Sequence, residues 1–349
     1  MTHLPAARRR RTTTASAALL LLALAGCASG SATGSPASSS PTTGSPAGAA
    51  SPPSATFSPV TLDNCGTTVT IATPPQRVVT IKSTSTEMLL ALGLQDSLVG
   101  TAFADGPVPT RYTAAAATIP VLSDKVPGQE ALLTSTPDFV YGGWESNFSA
   151  DGAGDRAALA ALGIGTYVSP AACKEPGYQP DPLTFDDVFG EIREVAGIFG
   201  VPDRAEALVS AQQAQLAAVE KPAQATTALW YSSGSDTPYV GAGIGAPQMI
   251  MDAVGITNIF EGVRDTWTPV GWEQVVAADP DVIVLVDATW NTAAKKIDLL
   301  EQNPATSQLT AVREHRYLTV PFPATEAGVR NVDAVVSLSQ QLAALTPAG

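Results

Sequence analysis

Strand-like and helix-like segments alternate along most of this chain of 349 residues, give way to one stretch with helical spacing alone, and then alternate again. Residues 77–81 form a short β-branched run, and 86–93 follow with the apolar spacing and terminal glycine of a helix. The pattern continues through strand 97–101, helix 128–135, strand 138–141, helix 155–162 and strand 165–168. Such alternation predicts a parallel sheet wrapped by helices. Between Pro182 and Pro222, apolar residues at Val188, Ile192, Val195, Ala196 and Phe199, then at Ala205, Leu208, Val209, Leu216 and Val219, keep helical spacing without a strand. Pro202 is placed to kink that stretch and Gly200 to relax the turn, so one long helix or two in line are expected. The alternation restarts with strand 228–232, helices 247–254 and 272–277, the wholly apolar strand 282–286, strand 317–320 and a closing helix 332–345. The expected fold class is α/β, two lobes, each a mainly parallel sheet flanked by helices, joined by one long linker helix. The first lobe is placed at 61–181, the linker at 182–222 and the second lobe at 223–349.

Composition narrows the function. With 45% apolar and 15% charged residues the chain can bury a sizeable core. Its 19 basic against 32 acidic residues, a formal −13, repel phosphate backbones, so no nucleic-acid partner is expected. His3 and His315 cannot furnish a multi-histidine zinc site, and neither a metal site nor a cofactor is expected.

The first 26 residues read as an export signal: Arg8 to Arg11, an apolar run at 15–25, then Leu24-Ala25-Gly26-Cys27. That run is too short to span a bilayer, which takes roughly 20 residues. The arrangement resembles the lipobox of bacterial lipoproteins. The resemblance implies cleavage before Cys27, lipidation of Cys27 and an anchor on the extracytoplasmic face of the cell membrane; the alternative is a plain secretory signal with a chance cysteine. Residues 27–60 then form a tether, almost wholly Ser, Thr, Pro, Ala and Gly after the cysteine. With Cys27 assigned to lipid, Cys65 and Cys173 remain, and in an exported protein they are expected to be joined. The alternative is two unpaired core thiols.

Two enzyme classes compete weakly. Gly241, Gly243 and Ala246 spell G-x-G-x-x-A, with Glu261 beyond, but inside the second half rather than opening a domain; the glycines are expected instead to let backbone approach a bound cargo. A Ser-His-Asp hydrolase would need His315, yet no G-x-S-x-G occurs. A secreted oxidoreductase or hydrolase is the remote alternative; the expectation is that the protein is not an enzyme and has no catalytic residues.

Three stretches together resemble the helix-linked substrate-binding proteins of bacterial ABC importers, the group for ferric siderophores, haem and cobalamin. They are PPQRVVTIKSTSTEMLLALGLQDSLVGTA, VGWEQVVAADPDVIVLVD with its counterpart GQEALLTSTPDFVYGGW, and the connector GVPDRAEALVSAQQAQL. The resemblance implies a receptor that delivers a small-molecule cargo, a metal chelate or cofactor precursor, to an ABC permease and its cytoplasmic ATPase. It also assigns Glu130 in GQEAL and Glu273 in GWEQV as permease-docking acids, one per lobe.

Open α/β sheets bind ligands at the carboxyl ends of their strands. In the first lobe that selects Lys82, Ser83 and Thr84, then Asp105, Lys125, and Trp144 with Glu145 and Asn147. In the second it selects Tyr231, Ser232, Ser233 and Tyr239, then Arg264, Trp267, Glu326 and Arg330. Aromatic faces beside Lys and Arg predict an organic, anionic cargo. The segment YVSPAACKEPGYQPDPLTFDD, with TIKSTSTEMLLALG and WYSSGSDTPYVGAGIGAP, is similar to an actinobacterial branch proposed to import a deazaflavin coenzyme precursor, a flat chromophore bearing a phosphodiester. A ferric siderophore and that precursor are the two cargo expectations.

Overall fold

The computed structural model describes residues 57–345. The signal, Cys27 and nearly all of the tether lie outside the described residues. The ordered chain opens with a hairpin, β1 (Val60–Asn64) and β2 (Thr67–Ile71), paired antiparallel. Its turn has positive φ at both Cys65 (50°) and Gly66 (73°), the primed geometry whose twist matches that of the strands.

The first-lobe sheet contains β3 (Val78–Ile81), β4 (Leu98–Ala102), β5 (Val121–Ser123), β6 (Phe139–Gly142) and β7 (Gly165–Val168), in the order β5-β4-β3-β6-β7 and parallel throughout. Helices α1 (Ser83–Ala91), α2 (Thr113–Ala116), α3 (Gln129–Thr134) and α4 (Arg156–Ala161) connect its strands. β3 is buried at every position, as a central parallel strand covered on both faces must be, and its Val-Val-Thr-Ile run is the sequence mark of that burial.

The 182–222 segment is helical, but its two helices do not lie in line. α5 (Phe185–Ile198) and α6 (Pro202–Ala217) meet at a corner around Gly200, whose φ is +68°. Arg193 Nε donates to Glu206 Oε1 at 2.8 Å across that corner. Residues thirteen apart in a straight helix would be separated by about 20 Å, so the chain must fold back. α5 belongs to the first lobe: the hydroxyls of Tyr141 and Tyr167 reach its Glu191 and Glu194. α6 is the helix that spans. Its Arg204 donates to the carbonyls of Leu92 and Gly93 in the first lobe, and two turns on Gln212 donates to the Val329 carbonyl in the second.

The second lobe holds β8 (Thr227–Ser233), β9 (Tyr239–Gly241), β10 (Thr257–Asn258), β11 (Trp267–Pro269), β12 (Val282–Asp287) and β13 (Tyr317–Pro321). The sheet is mixed: β12 lies parallel between β8 and β13, β10 is parallel to β8, and β9 and β11 add an antiparallel edge. Helices α7 (Ala246–Val254), α8 (Trp272–Ala278), α9 (Ala293–Gln302), α10 (Thr310–Arg313) and α11 (Asn331–Leu345) complete it. One hydrophobic core runs from Val78 and Met88 in the first lobe, through Ile192 and Val209 of α5 and α6, to Ile250 and Leu338 in the second. A shared core ties the lobes together more firmly than a flexible hinge would.

The glycines of the G-x-G-x-x-A stretch are required by close packing. A Cβ on Gly243 would sit 2.0 Å from the Glu261 carbonyl oxygen, and one on Gly241 would strike Pro247 at 2.4 Å. Ile244, Gly245 and Ala246 of the same stretch line the space between the lobes.

Candidate binding cleft

Between the lobes lies a cleft of about 610 Å³, within the usual size range of small-molecule sites. Loops after strands supply much of its wall: Gly143 and Trp144 after β6, Ser169 after β7, and Phe322 with Thr325 and Glu326 after β13. Tyr239 and Trp267, on the paired edge strands β9 and β11, add parallel ring faces 6.3 Å apart between centroids and inclined by 12°.

Lys82 is the centre of the layer beneath the cleft wall. It stands at the start of α1 with φ 88° and ψ 156°, a backbone region essentially reserved for glycine, at a cost of about 1–3 kcal/mol. Its side chain is fully buried, pairs with Asp105, and places Nζ 3.4 Å from the Trp144 ring centroid and 4.6 Å from that of Phe103. Ser83 and Asp105 brace it reciprocally, the Asp105 amide donating to Ser83 Oγ at 2.9 Å. The site requires glycine at 143, where a Cβ would come within 2.6 Å of Thr84 Oγ1 and 2.8 Å of Lys82 Cβ.

The floor also joins the lobes. Trp144 Nε1 donates to Glu326 Oε1 at 2.6 Å, with Lys82 Nζ 4.0 Å from the same oxygen. Burial pushes Glu326 up to about 7; Lys82 opposes the shift and Asp105 adds to it. Its other oxygen, Oε2, is buried without a hydrogen-bond partner among the described residues. Behind this layer Arg330 grips Glu87 through two hydrogen bonds and donates to the Pro107 carbonyl at 2.7 Å, again from the second lobe to the first.

Of the residues selected from sequence, Thr84, Trp144, Ser232, Tyr239, Trp267 and Glu326 line the cleft together. Lys82, Ser83, Asp105 and Arg330 lie buried outside the lining, in the layer that supports it. Asn147 is buried and accepts from the Trp144 amide at 3.0 Å, fixing that residue's turn. Glu145 accepts from the Lys174 amide at 2.5 Å. Tyr231 is a core residue, edge-on to Trp272, its hydroxyl donating to the Gly234 carbonyl and pushed by burial up to about 12. Ser233 pairs with Tyr239 in the sheet. Arg264 is exposed and paired with Asp181, and Lys125 sits exposed outside the lining. Thus three of the four cations expected to meet an anionic cargo are already paired with the protein's own carboxylates.

Sequence reasoning missed Phe322 and Lys174 in the lining, and Trp290, exposed and edge-on to Phe322 at 5.0 Å. Position directly after buried strands was the available signal for Phe322 and Trp290; nothing local marked Lys174. Glu130 and Glu273, expected from sequence as docking acids, lie apart from the cleft, exposed in the first turns of α3 and α8. Cys65 and Cys173 are bonded, as expected.

A family model described as "Periplasmic binding protein" matches residues 78–324. The chain belongs to the periplasmic binding protein family. It is therefore a binding protein rather than an enzyme. A periplasmic binding protein from Veillonella parvula DSM 2008 is 27% identical, with a TM-score of 0.72, covering 81% of this chain and 97% of that one. The structure of an ABC-type Fe3+-hydroxamate transport system from Saccharomonospora viridis DSM 43017 is 28% identical, with a TM-score of 0.68, covering 83% and 99%. Among curated proteins, the ABC transporter substrate-binding lipoprotein YvrC of Bacillus subtilis (strain 168) is 24% identical over 293 residues, 81% of this chain and 85% of that protein.

Proposed function

We propose that this periplasmic binding protein is the extracytoplasmic substrate-binding lipoprotein of an ABC importer, anchored through Cys27, with a ferric siderophore or a comparably large cofactor-like molecule as its cargo. The observation that carries the proposal is the interlobe cleft, whose Trp144, Tyr239, Trp267 and Phe322 walls offer aromatic faces beside hydroxyls and a single carboxylate. Such a lining suits an organic ligand or a metal already wrapped in one. The similarity to the Saccharomonospora Fe3+-hydroxamate protein supports the chelate. The likeness to the Bacillus lipoprotein supports both the anchor and the importer. Glu130 and Glu273 then serve as the two docking acids for permease cations, on opposite lobes.

A second reading keeps the receptor role and takes a deazaflavin precursor as cargo. The near-parallel Tyr239 and Trp267 faces favour it, since a flat chromophore can stack on them.

The test is native mass spectrometry of the mature chain after incubation with ferric siderophores, haem, cobalamin and the deazaflavin precursor together. A retained ferric chelate supports the first cargo and a retained deazaflavin the second. Retention of none of these would refute the cargo assignment.

A further inference from the structure

Residues 169–183 form a strap that leaves β7, runs along the cleft and reaches the second lobe. The Cys65–Cys173 disulfide fixes it to the opening hairpin, and Glu145 accepts from the Lys174 amide. Its far end is held by the Leu183 amide donating to the Ile244 carbonyl at 2.9 Å, and by Asp181 pairing with Arg264. Between these anchors, Ala171 to Lys174, Gln179, Pro180 and Leu183 line the cleft. One wall is thus a segment anchored covalently to the opening hairpin and by hydrogen bonds to both lobes.

Charge singles out one residue on that wall. Lys82 is committed to Asp105, Arg330 to Glu87 and Arg264 to Asp181. Lys174 is the one cationic residue among the described cleft-lining residues, and it makes no ion pair within the described chain. The lining carboxylate, Glu326, is bonded to Trp144 and sits near Lys82. We propose that Lys174 is the charge selector of the cleft, favouring cargo that carries an acidic group, carboxylate or phosphate, over an otherwise identical neutral molecule. The inference rests on the reading of the cleft as the cargo site. It moves the expected anion contact from Lys82, Lys125, Arg264 and Arg330 to the strap, and it explains how an acidic protein can accept an acidic ligand: the attraction comes from one local ammonium on an anchored wall.

The experiment uses the mature chain and two matched probe pairs: a ferric trihydroxamate chelate with a carboxylate or a carboxamide tail, and riboflavin 5′-phosphate against riboflavin. Kd is measured by quenching of tryptophan fluorescence. In whichever scaffold binds, the acidic member is expected to bind about five-fold tighter, the scale of a solvent-exposed ion pair, and the ratio should shrink at high salt. Lys174→Gln brings the ratio to about one, and Lys174→Glu inverts it. Preference confined to the carboxylate pair or to the phosphate pair identifies which acid is selected. Lys174 is exposed, so the fold is expected to persist, and thermal melting checks this. A wild-type protein that binds a scaffold without acid preference, or a Lys174→Gln variant that retains the preference, overturns the proposal. Binding of neither scaffold overturns the reading of the cleft as the cargo site, and the charge selector with it.

Discussion

Glu191 offers a clean test of the energetics beside the cleft. Its carboxyl is buried beneath the first-lobe sheet, accepting from Tyr141 Oη at 2.7 Å. Burial pushes it from 4.5 up to about 7, with neighbouring Glu194 adding to the rise and the hydroxyls of Tyr141 and Ser169 opposing it. Because the folded state holds this proton more tightly than the unfolded chain, the contribution of Glu191 to stability is greatest below pH 4.5, falls as the pH rises toward 7 and levels off above that. The shift corresponds to about 3 kcal/mol. Glu191→Gln removes the ionisation and keeps an oxygen to accept from Tyr141. In urea unfolding, the variant and the wild type should therefore be similar at pH 4.5, and at pH 8 the variant should be more stable by up to about 3 kcal/mol. The difference between the two pH profiles isolates this carboxyl from Glu326 and Glu87, which are raised in the same direction in both proteins. Parallel profiles across pH 4.5–8 would refute the reasoning.

Replacing Cys65 and Cys173 together by Ser should lower stability by about 4–5 kcal/mol in the chain-entropy model, since the bond spans 108 residues; chemical unfolding measures it. Truncating Arg330 to Ala should cost about 3–5 kcal/mol, because Glu87 is left buried without its partner, and thermal melts at neutral pH should show the drop. The double substitution Glu130→Ala and Glu273→Ala should abolish uptake by cells while leaving the Kd for cargo intact, since both acids are exposed and lie outside the cleft lining. Loss of affinity in that variant would count against the docking role.

Most of the frame was legible because local chemistry dictates it. The 77–81 and 138–141 runs are apolar or β-branched after an opening charge, the 282–286 run throughout, and each became an inner parallel strand. The helix after the first of them was marked by its apolar spacing and its terminal glycine, Gly93, whose φ is +67°. The β1–β2 hairpin was not assigned from sequence, although Thr61 to Ile71 alternate around a Cys-Gly turn; its strands are short and gain their place from the disulfide and from Asn64 bonding both polar groups of Val168. The α5–α6 corner escaped because helical spacing on either side of Gly200 does not encode the angle between two helices.

For the site, strand direction, which places carboxyl ends together, was enough to bring the loops that carry Thr84, Trp144, Ser232 and Glu326 to the cleft. Tertiary structure decided which charges remain available. Lys82, Arg264 and Arg330 look like free cations in the sequence, but each meets a carboxylate that lies between 23 and 243 positions away, and for the buried Lys82 and Arg330 burial favours such pairing over an unpaired charge. Lys174 carries no local mark, yet the disulfide and the crossing to Ile244 bring it to the wall, because long-range bonds, not neighbours in sequence, fix where a strap runs.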